Sequence, residues 1–168
     1  MKKTLSITVF NESGVLTRIS TVFSSRGFNI ESIAVGSTET IGVSRITIVL
    51  LGNDQILDQA IKQLNKLVQI IQVKDVTTTP CVERELMLIK IEASKTTRPE
   101  IIEIAQIFRA KIVDISEVAI MLEITGDPGK MVVIEELLKK YTILEIARTG
   151  KIVLERDLKI NTEYLKTL

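Results

Sequence analysis

Asn11-Glu12-Ser13-Gly14-Val15-Leu16-Thr17-Arg18 is the stretch whose residue types and spacing suit ligand chemistry. Three polar residues and a glycine precede an apolar set at helical spacing: Val15, Leu16, Ile19, Val22 and Phe23. This pattern predicts a tight turn feeding a helix from about Gly14 to Ser25. The first amides of a helix lack intrahelical acceptors and sit at the positive end of its dipole, so those of Gly14, Val15 and Leu16 suit a carboxylate. Asn11 offers a side-chain carbonyl to an ammonium group. Asn29, where the chain turns from the helix into the next strand, offers the same. Gly14 clears a side chain from the approach. These parts fit an amino acid. They also fit a plainer role, in which Asn11 and Ser13 cap the helix and Gly14 eases the turn. Local sequence leaves both open.

Other chemistries lack their residues. With no histidine in the chain, histidine metal sites, histidine acid–base catalysis and Ser-His or Cys-His pairs are excluded. The single cysteine, Cys81, rules out an intrachain disulfide and a thiolate zinc cluster, and fits a reducing compartment. No G-x-x-x-x-G-K-[ST] or G-x-G-x-x-G run occurs. Glu83 and Glu85, or Glu135 and Glu136, read as solvated strand ends and helix faces, so no catalytic and no metal-binding residue is assigned. The 22 basic and 21 acidic residues leave no electrostatic footprint for nucleic acid. The strand-like run from Val43 to Leu50 also has no aromatic for base stacking. No apolar run is long enough to span a bilayer, and Thr4 to Phe10 is too short and polar for a signal segment. The expectation is a soluble, unsecreted chain without a presequence, binding neither membrane nor nucleic acid.

Periodicity supplies the elements that must hold the turn. Leu5 to Val9 alternates as a half-buried strand; Phe28 to Ser37 and Val43 to Leu51 follow as strands. Asn53 caps a second helix with an apolar face of Ile56, Leu57, Ala60, Ile61, Leu64 and Leu67, and Val68 to Val76 is a fourth strand. Thr77-Thr78-Thr79-Pro80 is a linker. Arg84 to Ala93 is a strand; Thr96-Thr97-Arg98-Pro99 starts a helix; Lys111 to Ile115 and Val118 to Thr125 are strands. Asp127-Pro128 opens a helix, and Tyr141 to Thr149 holds the last strand. The order β-α-β-β-α-β appears twice, so the fold class is α+β with two tandem ferredoxin-like domains, residues 1–77 and 82–168. The tail 151–168 is assigned to the second domain, as strand or short helix. Only the first domain has the Asn-Glu-Ser-Gly turn.

The same residues, continued by Phe23, Arg26-Gly27 and Asn29-Ile30-Glu31-Ser32, resemble the opening of the small-subunit family of acetolactate synthase (acetohydroxyacid synthase). The resemblance runs on through Ser44-Arg45-x-Thr47-Ile48, Gln63-Leu64-x-Lys66-Leu67-Val68, Val82-Glu83-Arg84-Glu85-Leu86-Met87-Leu88-Ile89-Lys90, Ile107-Phe108-Arg109, Gly129-Lys130 and Glu145-x-Ala147-Arg148-Thr149-Gly150. It is looser over residues 118–140, and the tail after Gly150 is the chain's own.

The resemblance implies an N-terminal ACT domain and a regulatory, non-catalytic subunit that binds no cofactor itself. It implies a separate catalytic large subunit carrying thiamine diphosphate, FAD and magnesium, which the small subunit activates and makes sensitive to feedback inhibition by valine. Leucine and isoleucine remain alternative effectors. It implies a homodimer formed through the ACT domains with the effector between them. The site would take Asn11, Gly14, Val15 and Leu16 from one chain, and Asn29 and Ile30 from the other. A stand-alone amino-acid-sensing module acting on another partner, such as a transcription regulator, is the alternative, although no helix-turn-helix or basic arm is evident. An enzyme in its own right is the third reading. The compartment implied is a bacterial cytoplasm or a plastid stroma.

Overall fold

Alternation of apolar and polar residues sets the first strand. In the computed structural model, which describes residues 1–25 and 27–157, Leu5, Ile7 and Val9 share one face and are fully buried. They lie on β1 (Lys2–Phe10), followed by α1 (Val15–Ser25), β2 (Asn29–Ser37), β3 (Val43–Leu51), α2 (Asp54–Leu64) and β4 (Ile70–Asp75). The sheet order is β2-β3-β1-β4, with every neighbouring pair antiparallel. Ile46, Ile48 and Leu50 of β3 continue the buried face, and Ile19, Phe23, Leu57 and Leu64 of the two helices pack onto it. Phe28 meets Phe23 edge-on at 5.7 Å between ring centres. The expected start of α1 at Gly14 moves to Val15, because Gly14 takes a left-handed φ of 83° that a helix cannot use. Gly27 ends the helix as expected, at φ 67°.

The second set comprises β5 (Cys81–Glu92), α3 (Arg98–Ile107), β6 (Lys111–Ile115), β7 (Ala119–Gly126), α4 (Pro128–Leu138), β8 (Ile143–Arg148) and β9 (Ile152–Glu155). Its sheet order, β6-β7-β5-β8, repeats the first, with β9 pairing β5. Met87, Ile89 and Ile91 alternate into a second aliphatic core with Ile101, Ile120 and Ile134. Asp127 caps α4 by accepting the Lys130 N–H at 3.0 Å, and that amide holds the Asp127 carboxyl below the usual carboxylate range. Asn53 caps α2 in the same way, accepting the Ile56 N–H at 3.0 Å.

Two compact units result: Met1–Val82 together with the described residues from Val153, and Glu83–Ile152. The sequence assigned the whole tail to the second domain, but the described residues Val153 to Asp157 group with the first unit. Two contacts hold them there: Arg156 N–H donates to Pro80 O at 2.9 Å, and Glu155 pairs with Lys74 at 2.9 Å. Between strand and helix for the tail, residues 152–155 form a strand, and residues 158–168 lie outside the described residues.

Candidate functional site

The turn after β1 is held from two sides. Phe10 N–H donates to Gln69 O at 2.9 Å, and Asn11 N–H donates to Gly42 O at 2.8 Å. Inside it, Val15 N–H reaches Glu12 O at 3.3 Å, and Arg18 N–H donates to Gly14 O at 3.0 Å as the first regular helical bond. The amides of Gly14, Leu16 and Thr17 make no hydrogen bond to a described residue. The expected trio of Gly14, Val15 and Leu16 therefore becomes Gly14, Leu16 and Thr17. Val15 spends its amide inside the turn and its side chain in the core, where it is 7% exposed. Neither the Asn11 nor the Ser13 side chain hydrogen-bonds a described residue, so the helix-capping role that would explain them without a ligand is not realised.

A depression of about 160 Å³ lies against this turn. Val9 and Ile46 floor it, both fully buried, with Ser44 beside them at 5% exposure. Asn11, Glu12, Leu16 and Val35 rim it. An aliphatic floor beside free amides and an amide side chain can seat a small amphiphile with a carboxylate at the helix N-terminus. A Cβ added at Gly14 would meet nothing within 4 Å, so the space over the turn is open.

Asn29 and Ile30 are elsewhere in the same chain. Asn29 pairs with Leu51, which pairs with Lys2, whereas the turn follows Phe10, which pairs with Val43. The two groups sit at opposite ends of the sheet, separated by the nine residues of β2, or about 26 Å at roughly 3.3 Å per residue. One chain thus brings together Asn11, Gly14, Val15 and Leu16 but not Asn29 and Ile30. Sequence reasoning missed Val9, Glu12, Thr17, Val35, Ser44 and Ile46, which also line the depression. Periodicity assigns Val9 and Ile46 to the inner face, but cross-strand register alone brings Val35 and Ser44 to the turn.

No group of three or more His, Cys, Asp or Glu residues among the described residues could hold a metal ion. No helix among them is long and apolar enough to cross a membrane.

Two family models match in series. One described as "AHAS small subunit-like ACT domain" covers residues 5–72, and one described as "Small subunit of acetolactate synthase" covers residues 84–157. The chain is 47% identical over 159 residues to a "Probable acetolactate synthase small subunit" of Archaeoglobus fulgidus, spanning 95% of this chain and 99% of that one. The chain belongs to the acetolactate synthase small-subunit family. Its first unit is accordingly an ACT domain. The "Acetolactate synthase small subunit" of Bacillus subtilis is 45% identical over 169 residues, covering 100% of this chain and 98% of the relative. "Acetolactate synthase small subunit 2, chloroplastic" of Arabidopsis thaliana is 54% identical over 156 residues; the match takes in 93% of this chain but only 32% of that relative, so the chain spans about a third of its length. Among small-subunit structures, that of Thermotoga maritima superposes with a TM-score of 0.83 at 38% identity, covering 93% of this chain and 98% of the other.

Proposed function

We propose that the chain is the non-catalytic regulatory subunit of an acetolactate synthase, sensing valine at a site shared by two ACT domains. The observation carrying this reading is a half-built pocket beside a sheet edge that no described residue pairs with. Three free amides, Asn11 and an aliphatic floor face an open side next to Val35 of β2, an edge strand. Ile33 and Val35 of that strand are 39% and 49% exposed. Exposed apolar edges invite pairing with another strand.

A second copy completes the pocket on simple symmetry. A two-fold axis perpendicular to a sheet pairs an edge strand antiparallel with itself and keeps each side chain on its own face. Centred near Ile33, that pairing sets Asn29 and Ile30 of the partner copy against Ser37 and Gly36. This is the end of β2 where Val35 lines the depression. The free amides then take the effector carboxylate, the two asparagines its ammonium, and Leu16 with Ile30 its aliphatic side chain. Leucine and isoleucine differ from valine by a methylene, which an apolar pocket discriminates by only about 1–3 kcal/mol.

Chemistry resides on a catalytic large subunit, which would carry thiamine diphosphate, FAD and magnesium. Valine alters it only as far as valine binds one arrangement of the small-subunit dimer better than another. The test is reconstitution. Added to the acetolactate synthase large subunit, this chain is expected to raise its rate, and valine to lower the raised rate. No association and no change in rate would favour a stand-alone sensor of some other partner. Turnover by the purified chain alone would make it an enzyme.

A further inference from the structure

The face of the first sheet turned away from α1 and α2 carries a second cavity. Because Ile7 and Ile46 face the helices, Ser6, Thr8, Arg45 and Thr47 face the other way. Gly36, Arg45, Thr8 and Gln72 form one cross-strand row, and Ala34, Thr47, Ser6 and Lys74 form the next. Arg45 and Thr47 belong to a block of the family resemblance whose Ser44 and Ile46 line the turn depression, but they themselves face the other way. A cavity of about 250 Å³ lies over these rows, bordered on its far side by Val153 to Asp157 of the same compact unit.

The charges lining it do not all find partners. Lys74 and Glu155 pair at 2.9 Å and cancel. Among the described residues, Arg45 Nε is buried without a hydrogen-bond partner and Asp157 makes no ion pair. A guanidinium cannot shed its proton to escape burial, so its orphaned N–H calls for an acceptor. A lone anion would answer Arg45 but sit badly beside Asp157. A ligand carrying one charge of each sign answers both. Val76 and Val153, 3% and 4% exposed, supply an apolar wall beside them.

We infer that this cavity is a second binding site, for a small zwitterion of the amino-acid class. The ligand carboxylate sits on the Arg45 guanidinium with the Thr8 hydroxyl donating to it, and the ammonium faces Asp157. The cavity is smaller than the roughly 300–1,000 Å³ typical of drug-sized ligands, which suits a molecule of that size. It lies across the sheet from the turn site and does not depend on that site's role.

The test follows the side-chain Nε–H signal of Arg45 in the 15N-labelled full chain, assigned by its loss in Arg45→Lys. L-Alanine is expected to shift it saturably. Propionate and ethylamine, which each carry one of the two charges, are expected to bind at least about tenfold more weakly. Asp157→Asn, a change at an exposed position, is expected to cost L-alanine at least about tenfold while sparing propionate. Propionate binding as tightly as L-alanine, with no effect of Asp157→Asn, would reduce the cavity to an anion site and overturn the assignment. An Arg45 Nε–H signal that L-alanine does not move would overturn it outright.

Discussion

Replacing Gly14 with aspartate is expected to weaken valine inhibition at least about a hundredfold. The new carboxylate would lie beside the free amides of Gly14, Leu16 and Thr17, where the effector carboxylate is proposed to sit. Like charges about 4 Å apart repel by about 4 kcal/mol at an effective dielectric near 20, and each 1.4 kcal/mol is about a factor of ten. Solvent at the open rim removes part of that, hence the lower figure. The backbone at φ 83° would strain any side chain, and asparagine and aspartate tolerate it best. Gly14→Asn therefore separates charge from strain: the aspartate variant should be at least about tenfold worse than the asparagine one. Activation of the large subunit without valine reports that each variant still folds and docks. Inhibition of Gly14→Asp as tight as that of the parent would place the effector elsewhere.

Mixing Asn11→Ala chains with Asn29→Ala chains is expected to restore valine binding that neither shows alone. Each substitution removes a hydrogen bond to a charged ammonium, worth about 1.5–3 kcal/mol, so each homodimer should bind roughly ten- to a hundredfold more weakly. Asn29 opens the nine-residue β2 and Asn11 follows β1 at the opposite end of the sheet, about 26 Å away along the strands, so they cannot serve one ligand within a chain. In a mixed dimer one site carries both substitutions and the other carries neither. At equal proportions about half the dimers are mixed, and about a quarter of all sites should regain parental affinity. The readout is valine bound at a concentration that fills only the parental site. Binding that merely averages the two homodimers would contradict a site shared between chains.

Much of this was legible where the physics is local. Leu5, Ile7 and Val9 announced their strand by alternation, and Asp127-Pro128 announced a helix start that the Lys130 hydrogen bond realises. The repeated β-α-β-β-α-β order required two sheets of matching topology. What sequence could not give was register. Val35 and Ser44 reach the turn only because β2, β3 and β1 align as they do, and nothing in the spacing of Asn29 says which end of the sheet it occupies. The contacts of Glu155 with Lys74 and of the Arg156 N–H with Pro80 O are likewise non-local, and they hold Val153 to Asp157 on the first unit. At the turn, sequence could not tell that Val15 N–H would bond Glu12 O and leave Thr17 N–H open. It also left the capping role of Asn11 and Ser13 undecided, because only coordinates show whether a cap bond forms.

The most direct measurement is a calorimetric titration of the purified full chain with valine, leucine and isoleucine, at chain concentrations above and below dimer dissociation. The expected result is saturable binding of about one valine per chain to the dimer, weakening markedly once the chains separate. Equal affinity in monomer and dimer, or no saturable binding of any of the three, would contradict a pocket closed by a second copy of the chain.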